Sequence, residues 1–148
     1  MTDELLGVPI RLLLVEDDPG NVLLAQEALN ESKYDVTVHD VPDGVAAMAF
    51  LHRKPPYADA ARPDLILLDL NLPKKDGREV LEEIKADPDL RSIPVVILTT
   101  SGAEKDVLRS YDLHANAYVQ KPLDLEQFVI AIQTFDEFFL NVVRLPQR

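Results

Sequence analysis

Leu65-Ile66-Leu67-Leu68-Asp69-Leu70-Asn71-Leu72-Pro73 is the stretch that decides the fold. Its first four residues form an unbroken apolar run of the length expected for a strand buried on both faces. A carboxylate, Asp69, stands at the end of that run, held rigidly by the strand yet open to solvent. Toward the N-terminus, Leu12-Leu13-Leu14-Val15 repeats the pattern and ends in Glu16-Asp17-Asp18. Toward the C-terminus, Val95-Val96-Ile97-Leu98 ends in the hydroxyl of Thr99, and Ala117-Tyr118-Val119 is soon followed by the ammonium of Lys121. In a parallel sheet these ends share one edge. Carboxylates crowded there repel one another unless a cation screens them. Acids for a divalent metal, one nucleophilic carboxylate, a hydroxyl and a lysine together make a site suited to a phosphoryl group.

The remaining segments alternate with these runs. Strands are expected over 10–15, 36–38, 65–69, 94–98 and 117–119. The first helix, 19–31, is capped by Asp18 with Pro19 in its first turn, so Asp18 reads as a cap rather than a ligand. Ala46, Ala47, Phe50 and Leu51 mark a second helix opened by Pro42-Asp43-Gly44, and Pro55, Pro56 and Pro63 make 54–63 a loop. Val80, Leu81 and Ile84 share a face of a third helix that ends at Asp87-Pro88. A fourth is expected over about 104–111, with Ser101 as its cap, and a fifth from near Asp124. Five strands alternating with five helices imply an α/β fold, a doubly wound parallel sheet covered on both faces, with ligands at the carboxyl ends of the strands.

Composition narrows the function classes. The chain has 148 residues, the size of one compact domain, and 47% of them are hydrophobic. There is no cysteine, which excludes disulfides, thiolate metal sites and cysteine catalysis. His39, His52 and His114 lack metal-ligand spacing and are read as surface or structural positions. A net charge of −11 with no basic patch argues against a nucleic-acid partner. Neither a signal peptide nor an apolar stretch long enough to cross a membrane is visible, so a cytoplasmic location with no membrane partner is expected.

Four separated features, Val15-Glu16-Asp17-Asp18, Asp69-Leu70-Asn71-Leu72-Pro73, Leu98-Thr99-Thr100 and Lys121-Pro122, fall in that order at the ends of the first, third, fourth and fifth strands. In this the chain resembles the receiver domain of two-component response regulators. The resemblance implies a flavodoxin-like receiver fold with strand order 2-1-3-4-5, and a domain over 10–148 preceded by an extension, 1–9, and ending in an extended helix or tail from about 124. It implies that Asp69 accepts a phosphoryl group from a sensor histidine kinase. Asp17 then binds Mg2+ directly and Glu16 through water, while Asn71 contributes its backbone carbonyl; Mn2+ or Ca2+ are the expected substitutes. Thr99 resembles the hydroxyl that moves toward the phosphoryl group, Lys121 the lysine that pairs with it, and Tyr118 the aromatic switch that alters the surface of the fourth helix, fifth strand and fifth helix. Such a protein is a phosphoacceptor switch that catalyses its own phosphorylation and dephosphorylation, not a dedicated enzyme.

Within the family, the pattern is similar to the single-domain regulators of cyanobacterial and bacterial phytochromes. The likeness rests on residues 62–73, Leu98-Thr99-Thr100-Ser101, Tyr111-Asp112-Leu113-His114 and an aromatic tail. It implies a phytochrome kinase as phosphodonor and a homodimer. In the tail, Phe128, Ile132, Phe135, Phe139 and Val142 recur at spacings of four and three and share one helix stripe. That stripe is read either as a helix folded over its own sheet or, preferably, as a dimer interface. Two rival functions share some of these features. A haloacid-dehalogenase-like aspartyl-phosphate phosphohydrolase needs Asp-x-Asp after its first strand, whereas here the residue two after Asp69 is Asn71. A flavodoxin-like binding module needs a hydroxyl- and glycine-rich loop where Glu16-Asp17-Asp18 stands.

Overall fold

The computed structural model describes residues 10–30, 36–70, 72–99 and 117–120; for Ala28, Leu29, Thr99 and 117–120 the backbone alone is described. The expected fourth and fifth helices, Asn71, Ser101, His114, Lys121 and the tail lie outside the described residues.

The buried apolar runs become β1 (Ile10–Val15), β3 (Leu65–Asp69) and β4 (Val95–Thr99), with β2 (Val36–Val41) and β5 (Ala117–Gln120) at the edges. All neighbours pair in parallel, in the order β2-β1-β3-β4-β5. Every residue of β3 is buried, as its unbroken apolar run implies for a central strand. β2 is longer than the expected 36–38. It alternates partly buried Val36 and Val38 with exposed Thr37 and His39. An edge strand tolerates polar residues because one side of its backbone and much of its surface meet water, so His39 and Asp40 continue the ladder where the apolar signal stops.

Side chains alternate between the faces of the sheet. Leu13, Val15, Ile66, Leu68, Val95 and Ile97 form one continuous core with α2 (Gly44–Leu51) and α3 (Gly77–Ala86). The opposite set, Leu12, Leu14, Leu67, Val96 and Leu98, is equally buried. α1 (Pro19–Asn30) contacts β2 and buries Ala25 while leaving Leu23 56% exposed. Val80, Leu81 and Ile84 are the buried stripe of α3, as their spacing implies.

Each helix begins as its sequence dictates. Asp18 caps α1: its Oδ1 accepts from the Gly20 amide at 2.8 Å, and its carbonyl accepts from Val22 at 3.1 Å. Asp43 caps α2 by accepting from the Ala46 amide at 2.7 Å. Asp76 opens α3 with a capping box completed by Glu79. At the far end of α2, the Lys54 amide donates to Ala49 and the Arg53 amide to Phe50, at 2.9 and 3.1 Å. This is the Schellman arrangement, and it puts Arg53 at φ 55, a left-handed conformation that disfavours any residue with a Cβ. Arg53→Gly is therefore expected to stabilise the chain by roughly 0.5–1 kcal/mol, read as a higher urea midpoint at unchanged slope. An unchanged or lower midpoint contradicts this reading of the turn.

Candidate metal and phosphoacceptor site

Register brings the acids together. Val15 pairs with Leu68, so the next residues of the two strands, Glu16 and Asp69, emerge side by side at the carboxyl edge of the sheet. The Glu16 amide donates to the Val41 carbonyl at 3.1 Å, and the Leu70 amide to Leu98 at 3.3 Å, which carries the sheet pairing up to the site on both sides. Glu16 and Asp69 are 2% and 1% exposed, whereas Asp17 faces solvent. Asp69 is therefore buried rather than open to solvent as its strand-end position implied, because it is still part of the central strand and the start of the Gly77 helix packs against its carbonyl. Glu16, Asp17 and Asp69 each offer a carboxylate oxygen, and these oxygens lie within 4.8 Å of one another. Asp18 stays out of the cluster as the cap of α1, in agreement with its sequence reading. Glu16 Oε2 also accepts from the Asp18 amide at 3.1 Å, which fixes its orientation.

The donor set fits a hard divalent cation. Three oxygen-bearing anions converge, two of them almost withdrawn from water, and no soft ligand is among them. Mg2+ takes oxygen ligands, commonly one or two carboxylates, and keeps several waters. A hollow of about 430 Å3 opens beside the acids, bordered by Glu16, Asp17, Pro19, Leu23, Asp40 and Pro42.

Backbone pairing also places the fourth-strand residue. Asp69 pairs with Leu98, and Thr99 follows it and pairs with Gln120. Thr99 is thus the terminal residue of β4 next to Asp69, and Lys121 is the residue after the end of β5. Tyr118 lies in β5, opposite Ile97.

Two glycines shape the site and were not singled out as functional residues in the sequence. A Cβ on Gly77 would stand 2.3 Å from the Asp69 carbonyl oxygen and 2.7 Å from the Leu70 Cα. A Cβ on Gly44 would stand 2.3 Å from the Lys75 carbonyl oxygen. The segment after Asp69 is therefore pressed between the first residues of α2 and α3. The signal was present as a repeated dipeptide: Asp43-Gly44 and Asp76-Gly77 each supply a cap followed by a residue without a side chain. Lys74, at φ 67, reaches across to Asp43 at 3.5 Å. Lys75 is tied instead to Glu83 of α3, whose hydrogen bond raises the lysine pKa above its usual value and holds that charge on the helix.

His39 and His52 are exposed, and neither belongs to the acidic cluster. No helix among the described residues is long and apolar enough to cross a membrane.

Comparison with known proteins fits this geometry. Residues 12–133 match the response regulator receiver domain, and the chain belongs to that family. The chain is 51% identical to response regulator Rcp1 of Synechocystis sp., with 99% of each chain covered. The phosphorylated cyanobacterial phytochrome response regulator RcpA superposes with a TM-score of 0.80 at 51% identity, over 95% of this chain and 100% of that one. A Mn2+-bound form of Rcp1 superposes with a TM-score of 0.79 at 51% identity, over 94% and 100%. The expected receiver fold, sheet order and likeness to phytochrome regulators are all borne out. The chain is a metal-dependent phosphoacceptor switch by family.

Asp17 and Mg2+ provide a direct test of the cluster. Without divalent metal, Asp17→Asn relieves repulsion at an exposed position and leaves stability unchanged or slightly higher. Mg2+ at ten times its Kd is expected to stabilise the unaltered chain by about 1.4 kcal/mol and the Asp17→Asn variant far less. Thermal unfolding with and without Mg2+ checks this, and equal stabilisation of both chains contradicts it.

Proposed function

We propose that Asp69 is the phosphoacceptor of a sensor histidine kinase, most plainly a phytochrome. The observation that carries this reading is the nearly buried carboxylate of Asp69 set against Glu16 and Asp17 at the carboxyl edge of the sheet. The phosphorus–nitrogen bond of the kinase's phosphohistidine breaks as a phosphorus–oxygen bond to Asp69 forms, and the imidazole leaves with the electron pair. Such transfers depend mainly on positioning and charge stabilisation. Bound among the acids, Mg2+ supplies the positive charge that offsets repulsion between the incoming phosphoryl oxygens and Asp69.

Asp17 holds the metal directly. Glu16, already engaged by the Asp18 amide, acts on it through water. The Asn71 carbonyl completes the protein's share. Thr99 donates its hydroxyl to a phosphoryl oxygen and Lys121 pairs with another. The advance of Thr99 lets Tyr118 turn inward, which couples a local charge change to the surface around β5. The same residues support slow self-catalysed hydrolysis of the acyl phosphate. The phytochrome assignment is supported by 51% identity to Rcp1 and to a cyanobacterial phytochrome regulator. We place the protein in the cytoplasm as a homodimer with no nucleic-acid or membrane partner, and residues 10–148 form one receiver domain after an extension at 1–9. The apolar stripe of Phe128, Ile132, Phe135, Phe139 and Val142 supports the dimer.

Incubation with a small phosphodonor and Mg2+ is expected to add the mass of one phosphoryl group. Asp69→Asn and chelation each abolish the addition; labelling that persists in Asp69→Asn contradicts the assignment. For the dimer, light scattering is expected to give twice the chain mass for the unaltered protein in at least one phosphorylation state. Phe135→Ala or Phe139→Ala shifts it toward the monomer. A monomer in both states removes the dimer.

A further inference from the structure

A second cavity lies at the other end of the sheet. Arg11 is the second residue of β1 and Glu16 follows its end, so the two lie roughly 16 Å apart along the strand. The cavity encloses about 380 Å3 between the starts of β1 and β2, α2 and the 54–63 loop. That volume sits at the lower end of small-molecule sites, which run about 300–1,000 Å3.

Its walls have an ordered aromatic core. The rings of His39 and Phe50 stand 4.6 Å apart, those of Phe50 and Tyr57 5.4 Å, and those of His39 and Tyr57 5.9 Å, the last two edge to face. Pro56, Ala60 and Pro63 add further apolar lining. Arg11 is the cationic residue of the lining. Arg11 Nε is buried and, among the described residues, meets no hydrogen-bond acceptor. The Arg11 backbone is fixed, since its amide donates to Asp64 Oδ2 at 2.9 Å and its carbonyl accepts from the Asp64 amide at 2.7 Å. A buried donor without an acceptor is costly, and one acceptor delivered beside it removes that cost.

We propose that this cavity binds a small planar carboxylate. The flat apolar body stacks among Phe50, Tyr57 and the prolines, and the carboxylate takes the Nε edge of the Arg11 guanidinium after a small side-chain rotation. Guanidinium geometry favours such a pairing, because its planar fork matches two carboxylate oxygens. Asp59 is an exposed lining residue, and its negative charge favours the orientation that keeps the ligand's carboxylate on Arg11. The site shares no residue with the acidic cluster and does not rest on the role of Asp69.

The test is a titration of the isotope-labelled full chain with indole-3-propionate, followed by amide chemical shifts. Saturable shifts are expected at Arg11, Thr37, His39 and Tyr57. The neutral probe indole-3-propionamide, and the acid probe on Arg11→Met, are expected to bind about tenfold more weakly or worse. Ala61→Phe changes an exposed lining residue, fills the space and abolishes the shifts while phosphoryl uptake persists, which separates blocked binding from misfolding. Absence of saturable shifts overturns the proposal, including the case in which another part of the chain or a partner protein already covers the cavity. So do equal affinities for acid and amide, an unaltered Arg11→Met, or shifts centred on the acidic edge.

Discussion

Parallel pairing in one register is the constraint on which the site depends. With Val15 opposite Leu68 and Leu98 opposite Asp69, β1 and β4 each end within one residue of the level at which β3 ends. A slip of one residue between β1 and β3 would turn each buried leucine to the other face and separate Glu16 from Asp69. The apolar run of β3, buried throughout, opposes that slip because both faces of the sheet are filled. Deleting a single buried leucine in such a core costs about 2–5 kcal/mol, a large part of the stability of a domain this size. The core thus holds the acids against their mutual repulsion, and the repulsion is what suits the edge to a cation.

The same economy appears in the loop after Asp69. Gly77 and Gly44 let the chain pass within contact of two helix starts, and Asp76 and Asp43 satisfy the amides that those starts expose. Position is set by backbone approach rather than by a long side chain, which leaves little freedom for the carbonyls next to the acceptor.

Much of this was legible in the sequence. Apolar runs of four residues ending in acids located β1 and β3, and the alternation with amphipathic segments implied the parallel sheet. The acidic cluster followed because its members stand at, or within two residues after, the ends of β1 and β3. Thr99 was legible as the end of β4 for the same reason. The end of β2 was not, since an edge strand can continue through His39 and Asp40 without an apolar signal. The near-contacts of Gly44 and Gly77 were also missed as such, because close packing depends on how two loops cross in space. The cavity beside Arg11 was invisible for a related reason: Arg11 is distant in the chain from Phe50 and Tyr57, and they line one cavity only once the 54–63 loop folds back.

The central claim is that one cation-binding centre, formed by Glu16, Asp17 and Asp69, lies at the carboxyl edge of the sheet. Paramagnetic broadening by substoichiometric Mn2+ tests it most directly, because the effect falls steeply with distance from the ion. The account predicts that amide signals of 16–18 and 69–70 vanish first, together with that of Thr99, while Arg11 and Thr37 remain sharp, and that Mg2+ restores every signal with one-to-one competition. Broadening centred elsewhere, or spread evenly over the acidic surface, would contradict it.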